Sequence, residues 1–390
     1  MKTLLIKMPP SDGAINNEMN FLYQDDLLFP DYSLYTTWYI LRHNGVDCDP
    51  IEPYLFTNQT MTEVFGKYSD FKSACFLCSY ENYQNTLQAA KHIKESFPGT
   101  RTELIGEYPH SADEILKTGS FDAVVRGEWD KTLFALIKTI VKKGTSSVSY
   151  PGVSYIHKGA IHHNPDSKPM TDTEVEHLPF AEYEILPENV YTALSLETAR
   201  GNPYFNVFPP SRYGKVWRYI SAMGILERIV KCEKYFDRVK EPRIIISDEY
   251  FTGDDKRLHD LAQAIRKKKM DIKLHYRCRC SDLMEESLTA NLTAFTGGII
   301  LDPVFGHNFG LRKIKKGYDK LIITYSARYL KKYGLAEKSI YNFVTGFPWE
   351  SDNLIKQTKD FAAELEDAYG VKTNIEEYSK ISAYRFGNYE

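Results

Sequence analysis

Six cysteines are the first residues with chemistry to offer: Cys48, Cys75, Cys78, Cys232, Cys278 and Cys280. Thiolates bind iron and zinc, and paired thiols carry electrons. Cys278-x-Cys280 has the spacing that puts two thiols on one side of a strand, which allows a metal or redox role, while the usual role of a buried cysteine is that of a small packing residue. Cys75-x-x-Cys78 lies inside the apolar run Phe71 to Ser79, where cysteine serves as a small packing residue. Asp248 and Glu249 place adjacent carboxylates after a predicted strand, as acid–base groups at a barrel mouth or as caps of the following helix. His307 stands between Gly306 and Asn308 at another predicted strand end. An imidazole there suits proton transfer near neutral pH. His162 and His163 sit in a polar connector and are expected in a solvated turn.

Elements that would position these groups follow from the hydrophobic pattern. In the first part of the chain, short apolar runs (Lys2 to Met8, Phe71 to Ser79, Thr102 to Gly106, Phe121 to Arg126) alternate with helical patterns, notably Tyr83 to Phe97 and Glu128 to Lys143. Strands alternating with helices predict a parallel, doubly wound α/β sheet, whose ligands bind beyond the carboxyl ends of the strands. The crevice would be lined by Pro9 to Asp31, Ser79 to Asn82 and Gly106 to Ser111. A Gly-x-Gly-x-x-Gly fingerprint is absent, which removes support for NAD or FAD. Residues 146–190 form a linker with a hairpin around Lys158-Gly159. A second alternating series runs over 191–345, with candidate strands Ala193 to Glu197, Arg243 to Ser247, Ile272 to His275, Gly298 to Leu301, Leu321 to Tyr325 and Ser339 to Val344. It predicts a partial or full β/α barrel with its chemistry on the loops after the strands. Residues 346–390 make a C-terminal extension with one helix, Ser351 to Tyr369, and an irregular aromatic end.

The 390 residues carry 49 Lys and Arg against 52 Asp and Glu. That near-neutral balance argues against a nucleic-acid partner. No apolar run approaches a membrane span, and Met1 to Pro10 is too short and interrupted for a signal peptide. The expectation is a cytoplasmic protein with reduced thiols. The basic runs Arg266 to Lys269 and Arg312 to Lys316 are expected to be solvated faces or helix ends.

The order of segments resembles the cobalamin-binding radical SAM superfamily along most of the chain. Asp122-Ala-Val-Val-Arg-Gly-Glu128 is similar to the closing strand and turn of that family's B12 domain, and Leu178-Pro179-Phe180 with Leu186-Pro187 is similar to its linker. The barrel entry is the most specific match. Family members carry Arg-Gly-Cys-Pro-Tyr-x-Cys-x-Phe-Cys; this chain has Arg200, Gly201, Asn202, Pro203, Tyr204, Phe205, Asn206, Val207, Phe208 and Pro209. The framework is kept while Asn202, Asn206 and Pro209 replace the three cluster cysteines. Gly346-Phe347-Pro348 with Glu350 resembles a late Gly-Leu-Pro-Gly-Glu step. Leu311 to Gly317 resembles a basic turn that follows a Glu-Ser-Gly step, which by counting back falls on Val304, Phe305 and Gly306, without the acid.

The resemblance implies a Rossmann-like B12-binding domain over 1–145, followed by a radical-SAM-like partial β/α barrel. Cobalamin and S-adenosylmethionine are the implied cofactors. Ser79, Gly106 and Ser111 are the expected cofactor-facing residues of the first domain. Asn202, Tyr204, Asn206 and Phe208 are those of the barrel. Asp248, Glu249 and His307 are the candidate catalytic groups. No [4Fe-4S] cluster is expected, because amide and proline do not replace thiolate. Two functions follow. One is non-radical tailoring of a small molecule or peptide, as in natural-product biosynthesis. The other is a non-catalytic relative that binds a substrate or an active homologous partner.

Overall fold

The computed structural model describes residues 2–10, 29–56, 58–68, 70–108, 110–144, 148–204 and 213–378. The chain divides into two compact units: Met1–Ile15 with Asp31–Met170 and Pro179–Glu182, and Asn16–Pro30 with Thr171–Leu178 and Tyr183–Glu390.

The first unit is built on strands β1 (Lys2–Ile6), β2 (Cys48–Ile51), β3 (Phe71–Cys78), β4 (Arg101–Gly106), β5 (Ala123–Val125), β6 (Val153–His157) and β7 (Ala160–His163). Their order is β2-β1-β3-β4-β5-β6-β7. The first five are parallel, and the β6–β7 hairpin closes the edge antiparallel. The hairpin turns at Lys158 and Gly159, both at positive φ, as the sequence indicates. Helices α1 (Tyr32–His43), α2 (Met61–Phe65), α3 (Tyr83–Ser96), α4 (Ala112–Lys117) and α5 (Leu133–Lys143) connect the strands. Near-continuous apolar strands such as Leu4, Leu5 and Ile6, each fully buried, are what a sheet covered on both faces requires. The chain reverses direction across the sheet between β1 and β3, which is the ligand crevice of such folds. Helix α5 starts five residues later than expected, because Glu128, Trp129 and Asp130 form a buried turn in which Trp129 Nε1 donates to Thr37 Oγ1 at 2.9 Å.

The second unit has β8 (Leu194–Leu196), a small antiparallel pair β9 (Ala199–Arg200) and β10 (Arg218–Tyr219), then β11 (Ile244–Ile246), β12 (Leu274–Cys278), β13 (Thr296–Val304), β14 (Ser339–Thr345) and β15 (Lys372–Glu377). Helices α6 (Asp172–Glu176), α7 (Ala222–Glu233), α8 (Asp255–Lys268), α9 (Glu286–Leu292), α10 (Asn308–Lys313), α11 (Lys320–Lys332) and α12 (Asp352–Tyr369) accompany them. Its main sheet runs β8-β11-β12-β13-β14-β15, all parallel and in sequence order. That is the winding of a partial β/α barrel. Ala193, Ile245, Ile300 and Ile340, with Phe29 against them, form an apolar cluster across four strands.

Two sequence expectations change here. Leu321 to Tyr325, expected as a strand, opens α11, where Asp319 accepts from the backbone N–H groups of Leu321 and Ile322. Four apolar residues and Thr324 carry no period of their own, and burial of Ile323, Ser326, Ala327 and Leu330 shows the helical one. The sixth strand is β15, in the tail expected to be irregular. Helix α7 begins at Ala222, after β10 and a Ser221 cap.

Candidate functional site

The candidate catalytic groups Asp248, Glu249 and His307 all follow the carboxyl ends of barrel strands, β11 and β13. At the end of β8, Glu197 and Arg200 are almost fully buried and joined at 2.7 Å. Tyr213 donates to the other Glu197 oxygen at 2.8 Å, and the Arg200 guanidinium lies 4.4 Å from its ring. Asp248, beyond β11, accepts from the Thr198 backbone N–H and hydroxyl, each at 2.5 Å. Arg257 donates to the Thr198 carbonyl and hydroxyl, and to the carbonyls of Ile220 and Phe251. Burial pushes Asp248 up to about 7, opposed by the Arg257 charge and the Thr198 hydrogen bonds. Asp248 therefore ties two strand ends together, while Asp254 caps α8. Glu249 is partly buried beside it.

Gly201 follows at φ +83, where a β-carbon would sit 2.2 Å from the Val216 carbonyl oxygen. Only glycine permits this approach of two backbones. Asn202 Oδ1 accepts from Tyr204 N at 3.1 Å, so the amide closes its own turn. Tyr204 meets Tyr250, hydroxyl to hydroxyl at 3.3 Å, and the Arg279 guanidinium stacks 3.5 Å from its ring centre. Asn206 and Phe208 lie outside the described residues. Asn202, Asn206 and Pro209 are two amides and a proline, and none of them supplies the thiolate that holds an iron–sulfur cluster. All six cysteines are free and buried. Burial raises the Cys278 thiol well above its ordinary value and Cys280 to about 11. Cys280 lies past the end of β12, so the strand geometry expected for the pair does not extend to it.

His307 is the N-cap of α10. Its Nδ1 accepts from Gly310 N at 3.0 Å, which leaves the proton on Nε2, 3.1 Å from Glu350 Oε1. The other Glu350 oxygen accepts from Gly346 N and Phe347 N at 2.7 and 3.1 Å. A cleft of about 440 Å³ adjoins it, lined by Gly306, Phe309, Lys320 and Asp360 among others. Both imidazole nitrogens are engaged in holding loops.

Asp302 escaped sequence reasoning. Counting back from Leu311 led to Val304, but β13 shifts register against β14 between Leu301 and Val304, and Val304 has φ +74. Two residues before Val304 the same strand carries a carboxylate, Asp302. Arg277 donates to it at 2.5 Å and Asn342 at 2.8 Å, with Asn374 behind Asn342 at 3.4 Å. Burial pushes Asp302 up, but Arg277, Asn342 and Lys316 outweigh it and hold the carboxyl below its ordinary range. An acid in the middle of the run Ile299–Val304 was the signal available.

In the first unit, Ser79, Gly106 and Ser111 all lie at or after strand ends. Asn82 receives Ser79 N at 2.8 Å and donates to the Met8 carbonyl at 3.0 Å, while Asn85 donates to the carbonyls of Pro9 and Pro10. The start of α3 thus fastens the β1 and β3 ends at the switch point. Gly106 has φ +100, with the Cys78 carbonyl oxygen 2.2 Å from where a β-carbon would be. Ser111 is committed to a capping box with Glu114.

Among solved structures the chain is similar to the cobalamin-dependent S-adenosylmethionine radical enzyme OxsB with aqua-cobalamin and S-adenosylmethionine bound, at TM-score 0.71 and 17% identity over 93% of this chain. The chain has the fold of cobalamin-dependent radical SAM enzymes. It is also similar to the radical S-adenosylmethionine methyltransferase TsrM from Kitasatospora setae with tryptophan substrate and a SAM analogue bound, at TM-score 0.72 and 14% identity over 96% of this chain and 72% of TsrM. A further TsrM structure, with cobalamin and a [4Fe-4S] cluster bound, matches at TM-score 0.71 and 14% identity. The chain spans about half the length of OxsB, 51%. No protein-family model matches it, and no curated protein matches it in sequence. Among the described residues no helix is long and apolar enough to cross a membrane.

Proposed function

We propose that this chain binds a corrinoid in its first unit and tailors a small molecule or peptide at its barrel by non-radical chemistry, without an iron–sulfur cluster. The observation that carries this reading is the entry loop, in which Arg200, Gly201 and Tyr204 keep the framework while Asn202, Asn206 and Pro209 remove every thiolate. The switch point between β1 and β3, fastened by Asn82 and Asn85, supports the corrinoid, and so does cobalamin in the OxsB and TsrM structures. When bound, a corrinoid or S-adenosylmethionine would supply a transferable carbon group. The chain's own residues would orient the acceptor, with Asp302 and its partners facing the barrel interior.

Anaerobic purification tests this, with iron and sulfide assays, a corrinoid absorption spectrum, and calorimetry with S-adenosylmethionine. Corrinoid without iron is expected. A stoichiometric cluster would overturn the reading, as would the absence of both corrinoid binding and S-adenosylmethionine affinity. A second reading rests on Glu197, Arg200, Asp248 and Arg257, each at most 4% exposed and engaged within the protein. In it the barrel is catalytically silent and the chain serves a homologous active enzyme. Stable co-purification with a cysteine-bearing homologue would support it.

A further inference from the structure

His162 and His163, expected in a solvated turn, stand instead in β7 and face opposite ways. Antiparallel pairing sets Ser154 against His163, Tyr155 against His162 and His157 against Ala160. Side chains alternate along a strand, so Tyr155, His157 and His162 share one face of the hairpin, and Ser154 and His163 the other. His163 is engaged on its side, with Ser154 Oγ 2.8 Å from Nδ1 and Asp113 Oδ1 2.7 Å from Nε2. Ile156 and Ile161, on that same side, pack against the apolar core.

The opposite face is open to solvent: His162 is exposed, and Tyr155 and His157 are half-buried. The His157 and His162 ring centres lie 6.1 Å apart, with their planes at 62°. Tyr155 stacks on His162 at 5.4 Å and 18°, which fixes that imidazole. Neither His157 nor His162 forms a hydrogen bond or ion pair among the described residues, so their ring nitrogens are uncommitted. A tight turn, with Lys158 and Gly159 both at positive φ, holds the register that makes the two histidines diagonal neighbours. Lys158, the nearest cation in sequence, is exposed, and solvent screens its charge. A metal ion sits about 2.0–2.1 Å from an imidazole nitrogen, and one shared by two rings sets their centres about 5–6 Å apart. Side-chain rotation closes the difference without moving the backbone. Imidazole is a ligand of late first-row divalent metals, which it binds in the order that ends with Cu²⁺ tightest.

We propose that His157 and His162 form a surface site for a late first-row divalent cation, Cu²⁺ above the others, that clamps β6 to β7. The two imidazoles are its protein ligands. No group of three or more His, Cys, Asp or Glu side chains placed to hold a metal occurs among the described residues, so water completes the coordination. Since β7 is the outermost strand of its sheet, a cation shared with β6 fastens the edge that has a neighbour on one side only. The site goes beyond the proposed function and does not rest on corrinoid binding.

The test titrates the full chain, without an affinity tag and after chelator treatment, with copper(II) chloride. Electron paramagnetic resonance reads the ligands, and competition with a chromophoric chelator reads the affinity. One Cu²⁺ per chain, coupled to nitrogens of two imidazoles, is expected. His157→Ala and His162→Ala should each weaken that binding by about tenfold or more and leave a single-imidazole signal. His43→Ala should leave the binding unchanged, because His43 stacks on Tyr39 and donates to its carbonyl at 3.0 Å. Hydrogen exchange across residues 153–163 should slow with Cu²⁺ in the wild type and in neither hairpin variant. No bound Cu²⁺, a single-imidazole signal in the wild type, or unchanged affinity in both hairpin variants would overturn the proposal.

Discussion

His307 Nε2 and Glu350 Oε1 meet at 3.1 Å across 43 residues of sequence, and each group also caps backbone on its own side. His307 holds the first turn of α10, and Glu350 holds the Gly346–Phe347 turn. The side chains are 2% and 0% exposed. The Gly-Phe-Pro-x-Glu step is thereby explained: its glutamate is a loop clamp whose partner is the histidine singled out as catalytic.

Replacing His307 by Ala uncaps α10 and leaves the buried Glu350 carboxylate short of a donor. A loss of about 2–3 kcal/mol is expected in urea unfolding. His307→Asn keeps the capping acceptor and should recover about 1 kcal/mol of that loss. Equal losses for the two variants would contradict the capping role.

Glu103 is fully buried in the first unit. Ser73 donates to one oxygen at 2.7 Å, while the other has no hydrogen-bond partner among the described residues. Burial pushes it up to about 8, opposed by the Ser73 hydrogen bond. Between its ordinary value and about 8 the folded chain binds the extra proton, so stability falls as pH rises through that window. Glu103→Gln removes the titration. Relative to this variant, the wild type should lose of the order of a few kcal/mol from pH 5 to pH 8 in urea midpoints. A difference independent of pH would show that Glu103 is ionised throughout.

Gly201→Ala combines a left-handed backbone with a β-carbon driven into the Val216 carbonyl. At least about 2 kcal/mol of destabilisation is expected, read as a lower thermal midpoint, whereas Gly214→Ala, strained but with open space around it, should cost less.

Restoring thiolates tests how much of the entry loop's framework survives. The triple variant Asn202→Cys, Asn206→Cys, Pro209→Cys, reconstituted anaerobically with iron and sulfide, should show stronger iron–sulfur absorption than the unsubstituted chain treated alike. Equal iron content in both proteins would show that thiolates at these positions do not govern cluster binding.

Much of the architecture was legible because it depends on local pattern. Apolar strand-length runs alternating with helical stretches indicated two parallel α/β bodies, and Lys158-Gly159 marked its hairpin. The segments that went astray were those without a period of their own. Leu321 to Tyr325 has the composition of a strand, and only the Asp319 cap and the burial of every third or fourth residue after it make it a helix.

By itself, the sequence determined which donors exist: Asn202, Asn206 and Pro209 contain no thiol whatever the fold does with them. Tertiary structure alone decided which ionisable groups are sealed, paired or stranded, because burial and register are set by residues distant in the chain. It turned His307 toward Glu350 and Asp248 toward Thr198. Strand pairing brought Asp302 of β13 to Arg277 of β12, and the turn at Lys315 buried Lys316 at the end of an otherwise exposed basic run.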